Sequence, residues 1–199
     1  MNVIPLKAQP KAGSEDREVP LADRSDDDLI RLCRSGRPGA FSALVARHQT
    51  RAVRTAYRRL GNAEAARDVV QEAFMVVFRT LDRYEPRGLF VPYLHRIVLN
   101  GCRTAERGRR REVSAMDRLS REPERTQAQS DDVLLALDRQ VELGRRVRAL
   151  SPPIRDVMVL RFAGGLSIDE IGGALDIKEG TVKSRIHAGV QRLLREERP

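Results

Sequence analysis

The stretch Leu166–Leu194, LSIDEIGGALDIKEGTVKSRIHAGVQRLL, reads as two short helices around a tight turn, the second patterned to lie on DNA. Ser167 with Glu170 three residues later has the form of a capping box, in which each partner satisfies an orphan amide at a helix start. Ile168, Ile171, Ala174 and Leu175 give that helix an inward face, and Asp176 to Gly180 supply the turn. Val182, Ile186, Gly189, Val190 and Leu193 then recur at helical spacing, leaving Thr181, Ser184, His187, Ala188 and Gln191 outward with Lys183 and Arg185 on the flanks. The outward face is short, polar and nearly free of acid. Base edges are read by donors, acceptors and small apolar groups while flanking cations hold phosphates, so this face suits a recognition helix. A plain helical hairpin with a solvated outer face has the same periodicity, and spacing alone leaves both open.

Composition narrows the partner. The 199 residues carry 37 Lys and Arg against 28 Asp and Glu, a net charge of +9, which is the footprint of a polyanion binder. Nucleic acid is favoured over a membrane surface, because the longest apolar run, Ala73 to Phe78, is far too short to span and sits inside an amphipathic pattern. No membrane insertion is expected. Met1 to Val19 is broken by Pro5, Lys7, Pro10 and Lys11 and lacks the apolar region of a signal peptide, so a cytoplasmic protein is expected. Cys33 and Cys102 are far apart without a neighbouring Cys or His cluster, which favours buried reduced thiols and implies neither metal nor other cofactor.

The chain reads as all-α: two small helical domains joined by a flexible linker, the second ending in the helix-turn-helix. Residues 1–24 mix Pro, Gly, Ser and balanced charges without an apolar period, as a disordered tail does. The first domain spans 25–107. It opens with Ser25 and three aspartates at a helix start, followed by Leu29, Ile30 and Leu32 up to about Gly36. A longer helix carries Phe41, Leu44, Val45, His48, Ala52, Ala56, Tyr57 and Leu60 inward. The strongest helix places Ala66, Val69, Val70, Ala73, Phe74, Val77, Phe78 and Leu81 on one stripe. Tyr84 to Val91 reads as a loop, and a fourth helix runs from about Pro92 to Arg107. Residues 108–130, Arg-rich and then polar, read as the linker. The second domain, 131–199, has Val133, Leu134, Leu137 and Val141 on one helical face, a break at Pro152-Pro153, a helix over Ile154–Phe162, a stop at Gly164-Gly165, and then the two helices above.

A second nucleic-acid face lies on the fourth helix. Arg96, Asn100, Arg103 and Arg107 are spaced four, three and four, so they form one ridge opposite Leu94, Ile97, Val98, Gly101 and Ala105. Tyr93 lies at the edge of the ridge, with Phe90 in the loop before it. Cations beside aromatic rings suit a single strand whose unstacked base packs on a ring or enters a pocket; a solvated basic face is the plainer alternative.

The order of these parts, and three segments within it, resemble a group IV (extracytoplasmic-function, ECF) sigma factor of bacterial RNA polymerase. Asp68–Phe74 is similar to the family's D-V-V-Q-E-A-F segment, Phe90–Asn100 to its F-x-x-W-L-x-R-I-A-x-N element, and Gly180–Ile186 to the G-T-V-K-S-R-I start of its recognition helix. The resemblance implies a protein without catalytic activity that directs promoter-specific initiation. Its partners are then core RNA polymerase, through the β′ clamp and β flap, promoter DNA, and a cognate anti-sigma factor. Asp68, Gln71 and Glu72 take the place of the clamp-binding segment. Tyr84, Phe90, Tyr93, Arg96, Asn100, Arg103 and Arg107 fall to the minus-ten element, with Asn100 at the pocket for a flipped base. Opening DNA without a nucleotide fuel requires trapping an unstacked base. Thr181, Lys183, Ser184, Arg185, His187 and Gln191 fall to the duplex minus-thirty-five element. The usual Trp is Tyr93 here, Thr104 stands where an Asp or Asn is frequent, and Ala188 and Val190 replace frequent arginines, all of which bear on promoter sequence.

A conventional helix-turn-helix regulator not bound to core polymerase is the alternative. The Asp68–Phe74 segment and the Arg96–Arg107 ridge argue against it. An enzyme is disfavoured: no Gly-Lys dipeptide, G-x-S-x-G or H-E-x-x-H motif is present, and His48, His95 and His187 stand alone.

Overall fold

The computed structural model describes residues 19–116 and 142–195, with side chains to 111 in the first stretch. Those residues are helical and contain no strand. Four helices form the N-terminal unit: α1 (Asp26–Arg34), α2 (Ala40–Leu60), α3 (Ala63–Thr80) and α4 (Phe90–Met116). Four more follow: α5 (142–149), α6 (Pro152–Phe162), α7 (Ile168–Leu175) and α8 (Glu179–Arg195).

Local chemistry sets the ends. The Ser25 side chain accepts the Asp28 amide at 3.1 Å, with Asp26, Asp27 and Asp28 in the first turn where the helix dipole favours anions. Gly61 closes α2 at φ 74°, and the Asn62 side chain then accepts the Ala65 amide at 2.9 Å to start α3. The expected capping box is present: Ser167 Oγ accepts the Glu170 amide at 3.1 Å and Glu170 Oε2 accepts the Ser167 amide at 2.7 Å. Asp176 ends α7 in the left-handed region at φ 55°, so the tight turn is completed by Lys178 and α8 starts at Glu179.

The N-terminal core is built on the expected faces of α1 to α4, from Leu29, Ile30, Leu44, Ala56, Val70, Phe74, Val77, Leu94 and Val98. Helices α3 and α4 approach closely at Gly101, where an added Cβ lies 2.9 Å from Val69 Cγ1. In the C-terminal unit, Val157, Leu160, Leu166, Ile171, Ala174 and Val182 form a second core. That core also contains Leu99 of α4, with Val91 packed against it, so the two units share an apolar seam.

Several expectations are corrected. Phe78 is 61 % exposed and Tyr57 is also exposed, so neither belongs to its helix's inward stripe. Each sits at the edge of an apolar arc wider than the neighbouring helices cover. Structure is present ahead of Ser25: Leu21–Asp23 form a 3₁₀ turn and Leu21 packs on the first core. Residues 1–18 lie outside the described residues. Helix α4 passes Arg107 and continues to Met116, through part of the stretch assigned to the linker. Gly108 costs a helix only about 1 kcal/mol, and the arginines after it are good helix formers. The rest of that stretch and the helix expected over 131–141 lie outside the described residues. Cys102 is buried and Cys33 half-buried, both as free thiols; burial pushes the Cys102 thiol up to about 12.

Candidate nucleic-acid and polymerase-binding faces

Helix α4 carries the ridge as its periodicity requires: Arg96, Asn100, Arg103 and Arg107 are all exposed, while Leu94, Val98 and Cys102 are buried behind them. Arg103 Nη1 donates to Asn100 Oδ1 at 3.1 Å, which leaves the Asn100 amide NH₂ outward as a donor. Arg107 Nη2 donates to Thr104 Oγ1 at 3.1 Å, so Thr104 supports the ridge.

The aromatic residues divide. Phe90 is the first residue of α4 and is 1 % exposed, so it belongs to the core and offers no surface to a base. Its ring instead supports Tyr84 edge-on, centroids 6.1 Å apart. Tyr84 and Tyr93 are half-buried with centroids 4.9 Å apart, and Tyr93 Oη lies 2.6 Å from Thr80 Oγ1. Burial, with Asp27 nearby, pushes the Tyr84 hydroxyl up to about 12, which keeps it neutral. The two tyrosines, Arg87 and Arg96 line one cleft, and Asp169 and Glu170 of α7 line its other side.

Helix α1 holds the loop that enters this cleft, a role invisible in its sequence. Arg34 donates to the Leu81 carbonyl at 2.9 and 2.7 Å and also to the Tyr84 carbonyl. Asp27 Oδ2 accepts the amide of Gly88, which sits at φ 70°. The only sequence signal was the acid run Asp26–Asp28, which looks like helix capping alone.

On α8, Lys183, Ser184, His187 and Gln191 are exposed and Thr181, Arg185 and Ala188 half-buried, while Val182 and Gly189 are buried. A Cβ at Gly189 lies 2.6 Å from Met158 Sδ, so this glycine lets α8 lie against α6. Lys183 pairs with Glu179 at 3.3 Å in an exposed bridge of little weight.

Asp68, Gln71 and Glu72 are exposed on α3, and Glu72 accepts from Arg79 at 2.6 Å. Gln71 borders an apolar groove between α2 and α3 lined by Phe41, Val45, Val53, Phe74, Met75 and Phe78. Phe78 was missed as a surface residue because its spacing matched the core, whereas exposed Met75 lies off that stripe and carried no signal of its own.

Between the units lies a buried ionic cluster. Arg59 of α2, 1 % exposed, donates through Nε to Asp156 Oδ1 of α6 at 2.8 Å and pairs with Glu106 of α4. Arg103 Nη2 donates to Asp156 Oδ2 at 2.8 Å, and Arg155 stands 3.6 Å from Glu106. Arg51 Nη2 also donates across the seam to the Gly165 carbonyl at 2.7 Å.

These faces match a known class. Residues 44–112 match the Sigma-70 region 2 family and residues 140–193 match Sigma-70, region 4. The chain is 36% identical over 162 residues to the RNA polymerase sigma factor CarQ of Myxococcus xanthus, covering 80% of this chain and 90% of that one. It is 38% identical over 161 residues to the ECF RNA polymerase sigma factor SigE of Mycolicibacterium smegmatis, covering 77% of this chain but only 60% of that relative. Two solved structures share the fold. CnrH in complex with the cytosolic domain of CnrY superposes with TM-score 0.65 at 24% identity, covering 87% of this chain and 99% of that one. The sigma factor RpoE in complex with the anti-sigma factor NepR, from Bartonella quintana, gives TM-score 0.62 at 23% identity, with 80% and 99% covered. The chain belongs to the ECF RNA polymerase sigma factors of the sigma-70 family. As a class these proteins are not enzymes, and no helix among the described residues is long and apolar enough to cross a membrane.

Proposed function

We propose that this chain directs promoter-specific initiation by docking on core polymerase through α3, trapping the minus-ten strand on α4 and reading the minus-thirty-five duplex with α8. The observation that carries this is the pairing of two separate nucleic-acid faces in one chain: the Arg96–Asn100–Arg103–Arg107 ridge beside the tyrosine cleft, and the exposed Lys183–Ser184–His187–Gln191 face on a capped helix-turn-helix. A conventional helix-turn-helix regulator needs only the second face, and the family relationship favours a sigma factor over it.

The chemistry divides by face. Asn100 presents amide donors to a base edge while Tyr84 and Tyr93 offer ring surface, and the arginines hold the backbone. On α8, Ser184 and His187 face bases, and Lys183 and Arg185 face phosphates. Asp68, Gln71 and Glu72, beside the Met75–Phe78 groove, give the polymerase clamp a mixed polar and apolar seat. Residues 25–107 form the polymerase and minus-ten domain, 108–130 the connection with its first turns in α4, and 131–199 the minus-thirty-five domain. An anti-sigma factor is the expected regulator, as in the RpoE–NepR complex that shares the fold. The place of action is the cytoplasm, with the chromosome.

Run-off transcription with core polymerase on genomic fragments tests the proposal. Initiation at discrete sites only when the protein is added supports it. Asn100→Ala should abolish opening more than polymerase binding. Equal transcription with and without the protein rejects it.

A further inference from the structure

A cavity of about 390 Å³ beside the ionic cluster is lined by five arginines and a single carboxylate. Arg59 comes from α2, Arg109 and Arg110 from α4, Arg148 from α5 and Arg155 from α6, with Glu106 as the one acid. Cavities of roughly 300–1,000 Å³ are the size that holds small molecules. Glu106 is already shared, because Arg59 pairs with it and Arg155 Nη2 stands 3.6 Å from it. Arg109, Arg110 and Arg148 have no carboxylate partner among the described residues, so the cavity carries an excess of cation.

Two features build this cavity for an anion. Arg155 is 7 % exposed and its Nη1 donates to the Arg148 carbonyl at 2.9 Å, but its Nε has no partner among the described residues. An unpaired donor on a buried charged group is costly, so it marks where an acceptor belongs. Burial, and then Arg59, holds the Arg155 guanidinium below its ordinary value, as expected of a group short of anions. Arg148 in turn lies over two glycines: a Cβ at Gly61 would meet its Cζ at 2.7 Å, and one at Gly144 its Nη1 at 3.2 Å. Any side chain at Gly61 would displace this guanidinium from the cavity wall. We propose that the cavity binds a small molecule carrying a diphosphate group, gripped by Arg109, Arg110 and Arg148 with Arg155 as the buried donor. Planar guanidiniums meet phosphate oxygens two at a time, and here they come from three helices. A monophosphate leaves most of the excess cation unbalanced, which favours the diphosphate. None of these arginines belongs to the Arg96–Arg107 ridge or to α8, so the site is separate from the promoter-binding faces.

Isothermal titration calorimetry of the full chain with inorganic pyrophosphate, inorganic phosphate and ADP tests the site. The expected result is one pyrophosphate per chain, bound about tenfold more tightly than phosphate. Arg110→Ala and Arg148→Ala should each weaken it about tenfold, the loss of one charge-assisted contact, while Arg67→Ala, which removes an exposed charge on α3, changes nothing. Arg110 is exposed, so its variant stands if Arg148→Ala perturbs the fold. ADP binding more tightly than pyrophosphate makes the ligand a nucleotide, and the reverse order makes it a free phosphate compound; either order supports the site. No binding, several equivalents per chain, phosphate bound as tightly as pyrophosphate, or equal weakening by Arg67→Ala overturns it. The proposal also fails if binding of a single-stranded oligonucleotide, and not of pyrophosphate, depends on Arg110 and Arg148, since these arginines then hold a nucleic-acid backbone.

Discussion

Arg59 and Asp156 lie 97 positions apart in the chain, yet Arg59 Nε stands 2.8 Å from Asp156 Oδ1 and both side chains are shut away from solvent. The pair joins α2 to α6 and therefore one sigma region to the other. Its neighbours, Glu106 on one side and Arg103 on the other, make it part of a charge cluster in which every cation has a carboxylate. Breaking one member of such a cluster strands charge in a low-dielectric seam.

Arg59→Met is expected to cost the packed form about 3 kcal/mol, since removing one partner of a buried pair leaves its carboxylates poorly compensated. The loss should fall on the C-terminal helices, whose core borrows Leu99 and Val91 from the other unit. Hydrogen exchange at α6 and α8 amides reads it. Protection lowered by less than 1 kcal/mol would mean that water already reaches the pair.

His95 makes stability depend on pH. The ring is fully buried on α4, with Nδ1 3.0 Å from the Val91 carbonyl and Nε2 without a partner among the described residues, and burial brings its pKa down to about 4. The folded protein thus holds a neutral ring that the unfolded chain protonates near 6.5. The stability is complete above pH 6.5 and drains away as pH falls to about 4, a loss of roughly 3 kcal/mol. Urea midpoints across this range should fall, and His95→Leu should flatten the slope. Asp26 acts lower. Burial pushes its carboxyl up, but bonds to His48 and Arg47 outweigh that and hold it below the ordinary 3.8, so its contribution is lost only in stronger acid. A His95 imidazole titrating near 6.5 by NMR in the folded protein would contradict the burial argument.

On α8, Lys183→Ala and Arg185→Ala should weaken binding to every duplex and lower the salt slope by about one ion each, as lost phosphate contacts do. Ser184 and His187 changes should alter which sequence is preferred. Selection from a randomised duplex at two salt concentrations separates the two effects. The roles are reversed if Lys183→Ala changes preference while His187→Ala only reduces affinity.

Reversing charge at Asp68 and Glu72 should weaken competition for core polymerase at least tenfold without lowering the melting temperature, because both side chains are exposed and off the core stripe of α3. Phe78→Ser should do the same while leaving the core intact, since its ring lines the groove from outside. Unchanged competition by both variants would place the docking surface elsewhere.

The local rules were legible in the sequence because they act over a few residues. Ser167 and Glu170 cap α7 as their spacing requires, and the four-three-four placement of Arg96, Asn100, Arg103 and Arg107 puts them outward on α4 as helix geometry demands. Tertiary structure decided everything that depends on which neighbour covers a given arc. Phe78 has the spacing of a core residue, but no helix among the described residues covers it. Phe90 reads as a loop aromatic, and becomes core because α4 starts two residues early. Leu99, Arg59 and Asp156 carry no pattern of their own. They acquire meaning only when α6 and α7 fold back on α2 and α4, because burial and charge pairing across 97 positions are properties of the packed seam and leave no periodicity in the chain.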